Sequence, residues 1–428
     1  MTLLATSDAA PRPVRMSAAA LVRILALCLS TLLGILLARA LGAAELGRFE
    51  AAMAQAALLG VFAAAGVEKL IVREIAAGRA GDALLRWARQ RILLSLATLG
   101  AVCVPLALLF PTEFPEFGVL CCGLVPATAF LRMQQGALQG RHRVVAAQMV
   151  ELVALPGIVL GGVLASHLIG GGALRSHDAL ILQVLATVAA LGLGAVLLNR
   201  AHTEPAVDSP RTAVDDRRRW RDASLALLAL GGLQVLHARA DVAVFAQLAP
   251  DAEVGRFAVA TRIANLCATT LLVANAVIAP HLARAHRAGD TRRLQAIAVH
   301  SARRALIVTL VVSAAVMALP GTVLGLFGDG FGTATGALFV LVPAQVINVA
   351  MGSVGLVLLM TGRERAALPG LAIGAAIDLG LLALLAPSMG ATGAACARAA
   401  GLLTWNVFLA CAVRRQLGCS VNAWVRLS

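Results

Sequence analysis

Tyrosine is absent from this sequence, and aromatic residues make up only 4% of it. A cage of stacked rings for an aromatic or quaternary-ammonium ligand therefore has little to be built from, and an interfacial aromatic belt rests on few residues, such as Trp87, Trp220, Trp405 and Trp424. The eight cysteines, Cys28, Cys103, Cys121, Cys122, Cys267, Cys396, Cys411 and Cys419, contain no CxxC and have no histidine at ligand spacing. That argues against a zinc or dithiol site and leaves them as core filler or free thiols. Charge is scarce at 14% of residues, and acidic charge scarcer still, with 22 Asp and Glu against 36 Lys and Arg. No nucleophile or cofactor motif stands out, so neither catalysis nor a cofactor is expected.

Apolar residues fill the space these absences leave. They make up 60% of the chain, with a mean hydropathy of +0.86, which in water would expose a prohibitive apolar surface, so the solvent must be lipid. Windows of about 20 apolar residues, enough to cross roughly 30 Å of hydrocarbon, predict twelve helices. They cover 16–40, 49–72, 92–110, 118–139, 144–168 and 179–199, then 223–248, 255–280, 304–326, 334–360, 367–387 and 391–413. The first is too long for the core of a secretory signal, and eleven more follow it.

Basic residues set the expected orientation, since they gather at cytoplasmic helix ends. With the N-terminus inside, about 26 of the 36 fall in inner loops and tails, and only Arg39, Arg48, Arg175 and Arg256 sit at outer ends. The outer connections are short or acidic, as at Glu113, Glu116, Asp251, Glu253 and Asp329. Both termini are then cytoplasmic. The net charge of +14 is dispersed over these loops, which speaks for topology and anionic lipid rather than nucleic acid.

Several short strings occur twice. Gly47-Arg48-Phe49 returns as Gly255-Arg256-Phe257, and Arg79-Ala80-Gly81-Asp82 as Arg287-Ala288-Gly289-Asp290. Gly140-Arg141-His142-Arg143 is echoed by Gly362-Arg363-Glu364-Arg365. A half-length repeat with six helices per half is parallel, related by an axis along the membrane normal. The expected organisation is an N-tail (1–15), a first lobe (16–199), a polar linker (200–222), a second lobe (223–413) and a C-tail (414–428). The inner loops 73–91 and 281–303 interleave Leu84, Leu85 and Trp87, or Leu294, Ile297 and Val299, with arginines. They read as short interfacial amphipathic helices or as solvated basic loops.

The string Leu37-Ala38-Arg39-Ala40-Leu41-Gly42, then Glu45-Leu46-Gly47-Arg48-Phe49, Gly66-Val67-Glu68 and Val72-Arg73-Glu74, resembles the start of the polysaccharide-unit flippases of the multidrug/oligosaccharidyl-lipid/polysaccharide exporter superfamily. Arg239-Ala240-Asp241, Glu253 to Phe257 and Ala260-Thr261-Arg262 are similar to the same family around helices 7 and 8. The resemblance implies export of an undecaprenyl-diphosphate-linked oligosaccharide, such as an O-antigen unit of lipopolysaccharide, across a bacterial inner membrane by alternating access. Such a cargo asks for a cationic cavity open to lipid, and arginine suits a diphosphate because its fork donates paired charge-assisted hydrogen bonds.

Candidate site residues are the charges inside the predicted spans, each costing about 2.5–3.5 kcal/mol at a bilayer centre unless paired or wetted. They are Arg23, Glu68, Lys69, Arg132, Glu151, Arg239, Asp241, Arg262, Asp378 and Arg398. Shifting by the repeat places Arg239, Asp241 and Arg262 over Thr31, Leu33 and Ala54, and Asp378 over Pro156, so these four break the symmetry and rank first. Arg239, Arg262, Arg23 and Arg398 are the candidates for diphosphate, and Asp241, Asp378 and Glu151 for charge pairing or coupling. Positions four apart share a helix face, so His237 can meet Asp241, whereas Arg239 cannot. Arg262 is the expected partner of Asp241, and Arg398 that of Asp378. An unpaired Asp378 could instead carry a proton or bind sodium and couple a gradient.

Three classes remain. A glycolipid flippase fits the intramembrane arginines; a multidrug antiporter of the same superfamily would want carboxylates and aromatics for cationic drugs. A lipid II flippase would carry two further helices, and a membrane polymerase or ligase would need a large catalytic outer loop.

Overall fold

The computed structural model describes residues 18–78, 82–109, 119–170, 174–200 and 213–425, and within them only helices and their connections occur. The N-tail, Arg79 to Gly81, Glu113, Glu116 and residues 201–212 of the expected linker lie outside that set. The main helices of the first half are α1 (Ala18–Ala64), α2 (Val67–Ala76), α3 (Asp82–Leu109), α4 (Val125–Gly140), α5 (Leu155–Gly170) and α6 (Ser176–Asn199). Those of the second half are α7 (Ala213–Leu248), α8 (Asp251–Cys267), α9 (Thr269–Arg287), α10 (Thr291–Ala318), α11 (Thr335–Met351), α12 (Val354–Met360) and α13 (Leu368–Leu417).

Among the described residues seven helical stretches are long and apolar enough to cross a membrane, or up to eight if α8 and α9, bent by 44°, make one span. Large side chains such as Leu168, Ile307, Val311 and Leu384 stand exposed on them, as lipid-facing residues should. The chain is a multi-pass membrane protein. Two of the stretches, Leu21–Ala64 with 44 residues and Arg365–Leu417 with 53, are about twice the length a bilayer needs. Each is broken by a glycine in a backbone conformation closed to other residues, Gly42 (φ 72°, ψ 177°) and Gly390 (φ 54°, ψ −134°). These breaks fall where the sequence places its first and last outer connections.

The two halves meet at the turn carrying the repeated Gly-Arg-Phe. A Cβ on Gly47 would overlap the main-chain carbonyl of Asp251, and one on Gly255 would overlap the carbonyl of Ala43. Only glycine allows this reciprocal backbone approach of α1 and α8. The following arginines point outward into ion pairs: Arg48 holds Asp251 at 2.7 Å and Glu45 at 3.0 Å, and Arg256 holds Glu253. Both phenylalanines are buried, Phe257 edge-on against Phe245 with ring centres 5.5 Å apart. The preceding glutamates also act alike. Glu45 accepts the amide of Ser176 at the start of α6 (2.8 Å), and Glu253 that of Ala391 beyond the Gly390 break (2.9 Å).

At the other end, the loops 73–91 and 281–303 do not form separate interfacial helices or solvated loops. Leu84, Leu85 and Trp87 belong to the first turns of α3, and Leu294, Ile297 and Val299 to those of α10. Leu84, Leu294 and Val299 are fully buried, so packing rather than lipid collects these apolar residues. Similarly, α7 begins at Ala213, within the stretch read as linker. After α13 the chain turns back into the second half. Arg303 donates to the carbonyls of Ala423 (2.8 Å) and Val425 (2.7 Å), Gln295 donates to Ser420 (2.9 Å), and the amide of Ala423 donates to Ala350 (2.9 Å).

Candidate functional site

A cavity of about 580 Å³ opens between the halves. The first half supplies Leu27, Ser30, Thr31 and Glu50 from α1, and the second half supplies residues of α7, α8, α9 and α13, among them Arg239, Arg262 and Arg398. Three of the four arginines singled out from sequence thus converge on one space. The fourth, Arg23, is exposed in the first turns of α1 and does not line it.

The three guanidiniums differ in what holds them. Arg262 reaches from α8 between the two arms of α1: its Nη2 bonds Glu50 at 2.8 Å, and Gly34 leaves the room its fork needs, since a Cβ there would overlap it. Its partner is therefore Glu50, not Asp241 as expected. Asp241 is taken by Arg398, which bonds its carboxylate from α13 and is held by it rather than by Asp378. Asp241 is 2% exposed, and its carboxylate is taken up by Arg398 and by the amide of Val242, while Arg262 is engaged by Glu50. Arg239, exposed on the cavity wall, has no ion-pair or hydrogen-bond partner among the described residues.

Asp378, on α13, is 4% exposed and lies in the electrostatic reach of Asp241 and Arg398, but its Oδ1 has no hydrogen-bond partner. His237 does not bond Asp241; its ring lies against Trp405, centres 5.7 Å apart. Glu151 sits in the π-helical turn Met149–Ala154, with Glu68 and Arg132 as its charged neighbours, away from the cavity. Lys69 bonds Gln234 at 3.2 Å.

Two features escaped the sequence reading. Glu50 falls inside the predicted second span and should have been counted among its charges. A chain of amides crosses the second half: Asn406 donates to Asn348 (2.9 Å), Asn348 to Gln345 (2.9 Å), and Gln345 to Asn265 (2.8 Å). Asn265 lines the cavity with its own amide nitrogen left to donate. Scanning the spans for Asn and Gln as well as charges would have found it. Among the described residues no cluster of His, Cys, Asp and Glu is arranged to hold a metal.

Known proteins give two kinds of match. The family described as "Polysaccharide biosynthesis protein" matches residues 16–286. No curated protein matches in sequence. Among solved structures, an inward-facing multidrug resistance MATE family transporter of the MOP superfamily is similar with a TM-score of 0.74 at 17% identity, over 93% of this chain and 98% of that one. The lipid II flippase MurJ, in an inward closed conformation, is similar with a TM-score of 0.67 at 14% identity, over 93% and 86%. A MOP superfamily transporter from Pyrococcus furiosus, described as having a binding pocket of reverse polarity, gives 0.56 at 16% identity, over 94% and 95%. At such identities the likeness is one of fold.

Proposed function

The chain belongs to the polysaccharide biosynthesis protein family, and from that membership we propose that it is a flippase that carries a polyprenyl-diphosphate-linked oligosaccharide across the bacterial inner membrane. The observation that carries this reading is the unpaired Arg239 on the wall of a cavity also lined by Arg262 and Arg398. In a partly dry site a free guanidinium has nothing to offset its desolvation until an anion arrives, and a diphosphate supplies that anion. Ser30, Thr31 and Asn265 add neutral hydroxyl and amide groups for the adjoining sugar.

Twelve spans in two lobes, with both termini cytoplasmic, is the architecture we assign. The breaks at Gly42 and Gly390 and the reciprocal contacts of Gly47 and Gly255 support it. We assign the Gly47–Gly255 clasp to the outer side, so release outward requires the two Gly-Arg-Phe turns to part. Coupling is assigned to Asp378. Arg262 pairs with Glu50, Arg398 pairs with Asp241 and lies in electrostatic reach of Asp378, and Arg239 adds a third cation, so one proton or sodium ion on Asp378 changes the group from neutral to net positive.

The similarity to a multidrug transporter favours a second reading, antiport of cationic drugs. The unpaired Arg239 on the wall opposes it, because an uncompensated guanidinium repels a cation in low dielectric. Translocation of a fluorescent polyprenyl-diphosphate glycan in proteoliposomes separates the two. Transport by the intact protein that is lost in Arg239→Ala, inserted equally, is the expected result; ion-driven efflux of small cations with no glycolipid transport would transfer the chain to the antiporter reading.

A further inference from the structure

A second concave site lies at the end of the molecule that carries the basic loops, well removed from the central cavity in its lining residues. It encloses about 450 Å³ between α3 and α7 and is lined by Trp87, Gln90, Arg91 and Leu94 on one side and Arg217, Arg218 and Arg221 on the other. On α3 the spacing 87, 90, 91, 94 is one helix face, and on α7 the spacing 217, 218, 221 is another. Four arginines therefore converge, with no carboxylate among the described residues of the lining.

Of the described neighbouring acids, only Asp222 reaches a lining arginine. Glu74, 1% exposed, is engaged by Arg219 and Arg73, and Asp222 holds only Arg221, at 3.2 Å between exposed side chains. Arg91, Arg217 and Arg218 have no ion-pair partner among the described residues, and the Nε of Arg91 is buried without a hydrogen-bond partner. A structural role would pair these groups. The pairing that does hold this junction together is Glu74 with Arg219 beside the site and, at its edge, Trp87 against Trp220, ring centres 5.7 Å apart.

What lies next to the arginines identifies the ligand. Leu94 is one turn beyond Arg91 toward the membrane interior, Leu93 beside it is exposed, and Leu225 is exposed one turn beyond Arg221. A phosphate-sized cationic pocket continuous with two exposed leucine ridges matches a phosphate bearing acyl chains. We propose that this is a binding site for an anionic phospholipid of the cytoplasmic leaflet, whose headgroup phosphate bridges α3 of the first half to α7 of the second. A bound headgroup there ties the two halves on the inner side, so lipid composition would bias the inner junction toward the closed arrangement around Glu74 and Arg219.

The test is thermal unfolding of the full chain in detergent, titrated with phosphatidylglycerol, phosphatidylcholine or inorganic phosphate. Phosphatidylglycerol alone should stabilise. In Arg91→Gln/Arg218→Gln the concentration for half-maximal effect should rise about 25-fold, roughly fivefold per arginine, while Arg292→Gln/Arg414→Gln, equal in charge change on other exposed positions, should leave it unchanged. An equal response to inorganic phosphate would make this a free-anion site, and an equal response to phosphatidylcholine or in the double variant would overturn it. Should that variant fail to fold, quenching in the intact protein decides. Brominated phosphatidylglycerol must quench more than brominated phosphatidylcholine, with the difference abolished in Trp87→Phe; equal quenching rejects the site.

Discussion

Where α1 meets α8, the two halves do the same things with the same residues. Glu45 and Glu253 each accept the first amide of a distant helix, and Gly47 and Gly255 each admit the other's backbone. Through the membrane they part company: Arg239, Arg262 and Arg398 all come from the second half, with Asp241 and Asp378 behind them, while the first half offers the cavity a single charge, Glu50. Positions the halves share therefore build the frame, and positions they do not share carry the electrostatics. In this cavity one half of the chain holds most of the costly charges while the other supplies chiefly uncharged wall.

The sharpest way to break that division is to leave a charge of the second half without its partner. Asp241→Leu strands Arg398 and should cost about 3–5 kcal/mol in unfolding measurements, and Asp241→Leu/Arg398→Leu should recover most of it. If the double variant loses as much as the single one, the pair is not the reason for the loss. Next comes Arg239→Gln, expected to lower glycolipid transport tenfold or more, the loss of a charge-assisted bond of about 1.5–3 kcal/mol. Its stability should stay within about 0.5 kcal/mol of the parent. Arg23→Gln in the first half should alter neither; a transport defect there would mean that cargo touches both halves equally.

On the shared side, Gly47→Val and Gly255→Val should destabilise by similar amounts, about 1–3 kcal/mol each, because each drives a side chain into the opposite backbone. Unequal losses in thermal unfolding would show that one half dominates the clasp. The smallest effects belong to Glu45→Gln and Glu253→Gln, about 0.5–2 kcal/mol apiece by analogy with lost helix caps. A null result for one alone would locate the asymmetry at the frame as well.

Much of the frame is legible in sequence because apolar runs report membrane-crossing helices and because a short string that occurs twice, Gly-Arg-Phe, marks the place where α1 and α8 meet. The site was legible only as a set of residues. That Arg239, Arg262 and Arg398 share a wall follows from α7, α8 and α13 meeting, and no local signal says so. Nor could spacing reveal that Arg398 reaches Asp241 across 157 residues, leaving Asp378 without the expected partner. Glu50 was hidden by its place next to the repeated turn, where a glutamate reads as part of an outer loop. The inner loops misled for a different reason: an amphipathic pattern looks the same whether its apolar side meets lipid or another helix, and Leu84 and Leu294 meet helices.

The segment 419–425 bears on how the protein is made and handled. These residues follow the last of the described helices, yet Arg303 and Gln295 bond to their carbonyls and Cys419, Val421 and Ala423 are buried. Insertion of α13 thus still leaves the second half unlatched until this stretch has been synthesised and folded back. A chain cut short before Cys419 would display unpaired arginine and bare apolar grooves to membrane quality control, and a bulky fusion joined close behind Val425 would pull on the latch.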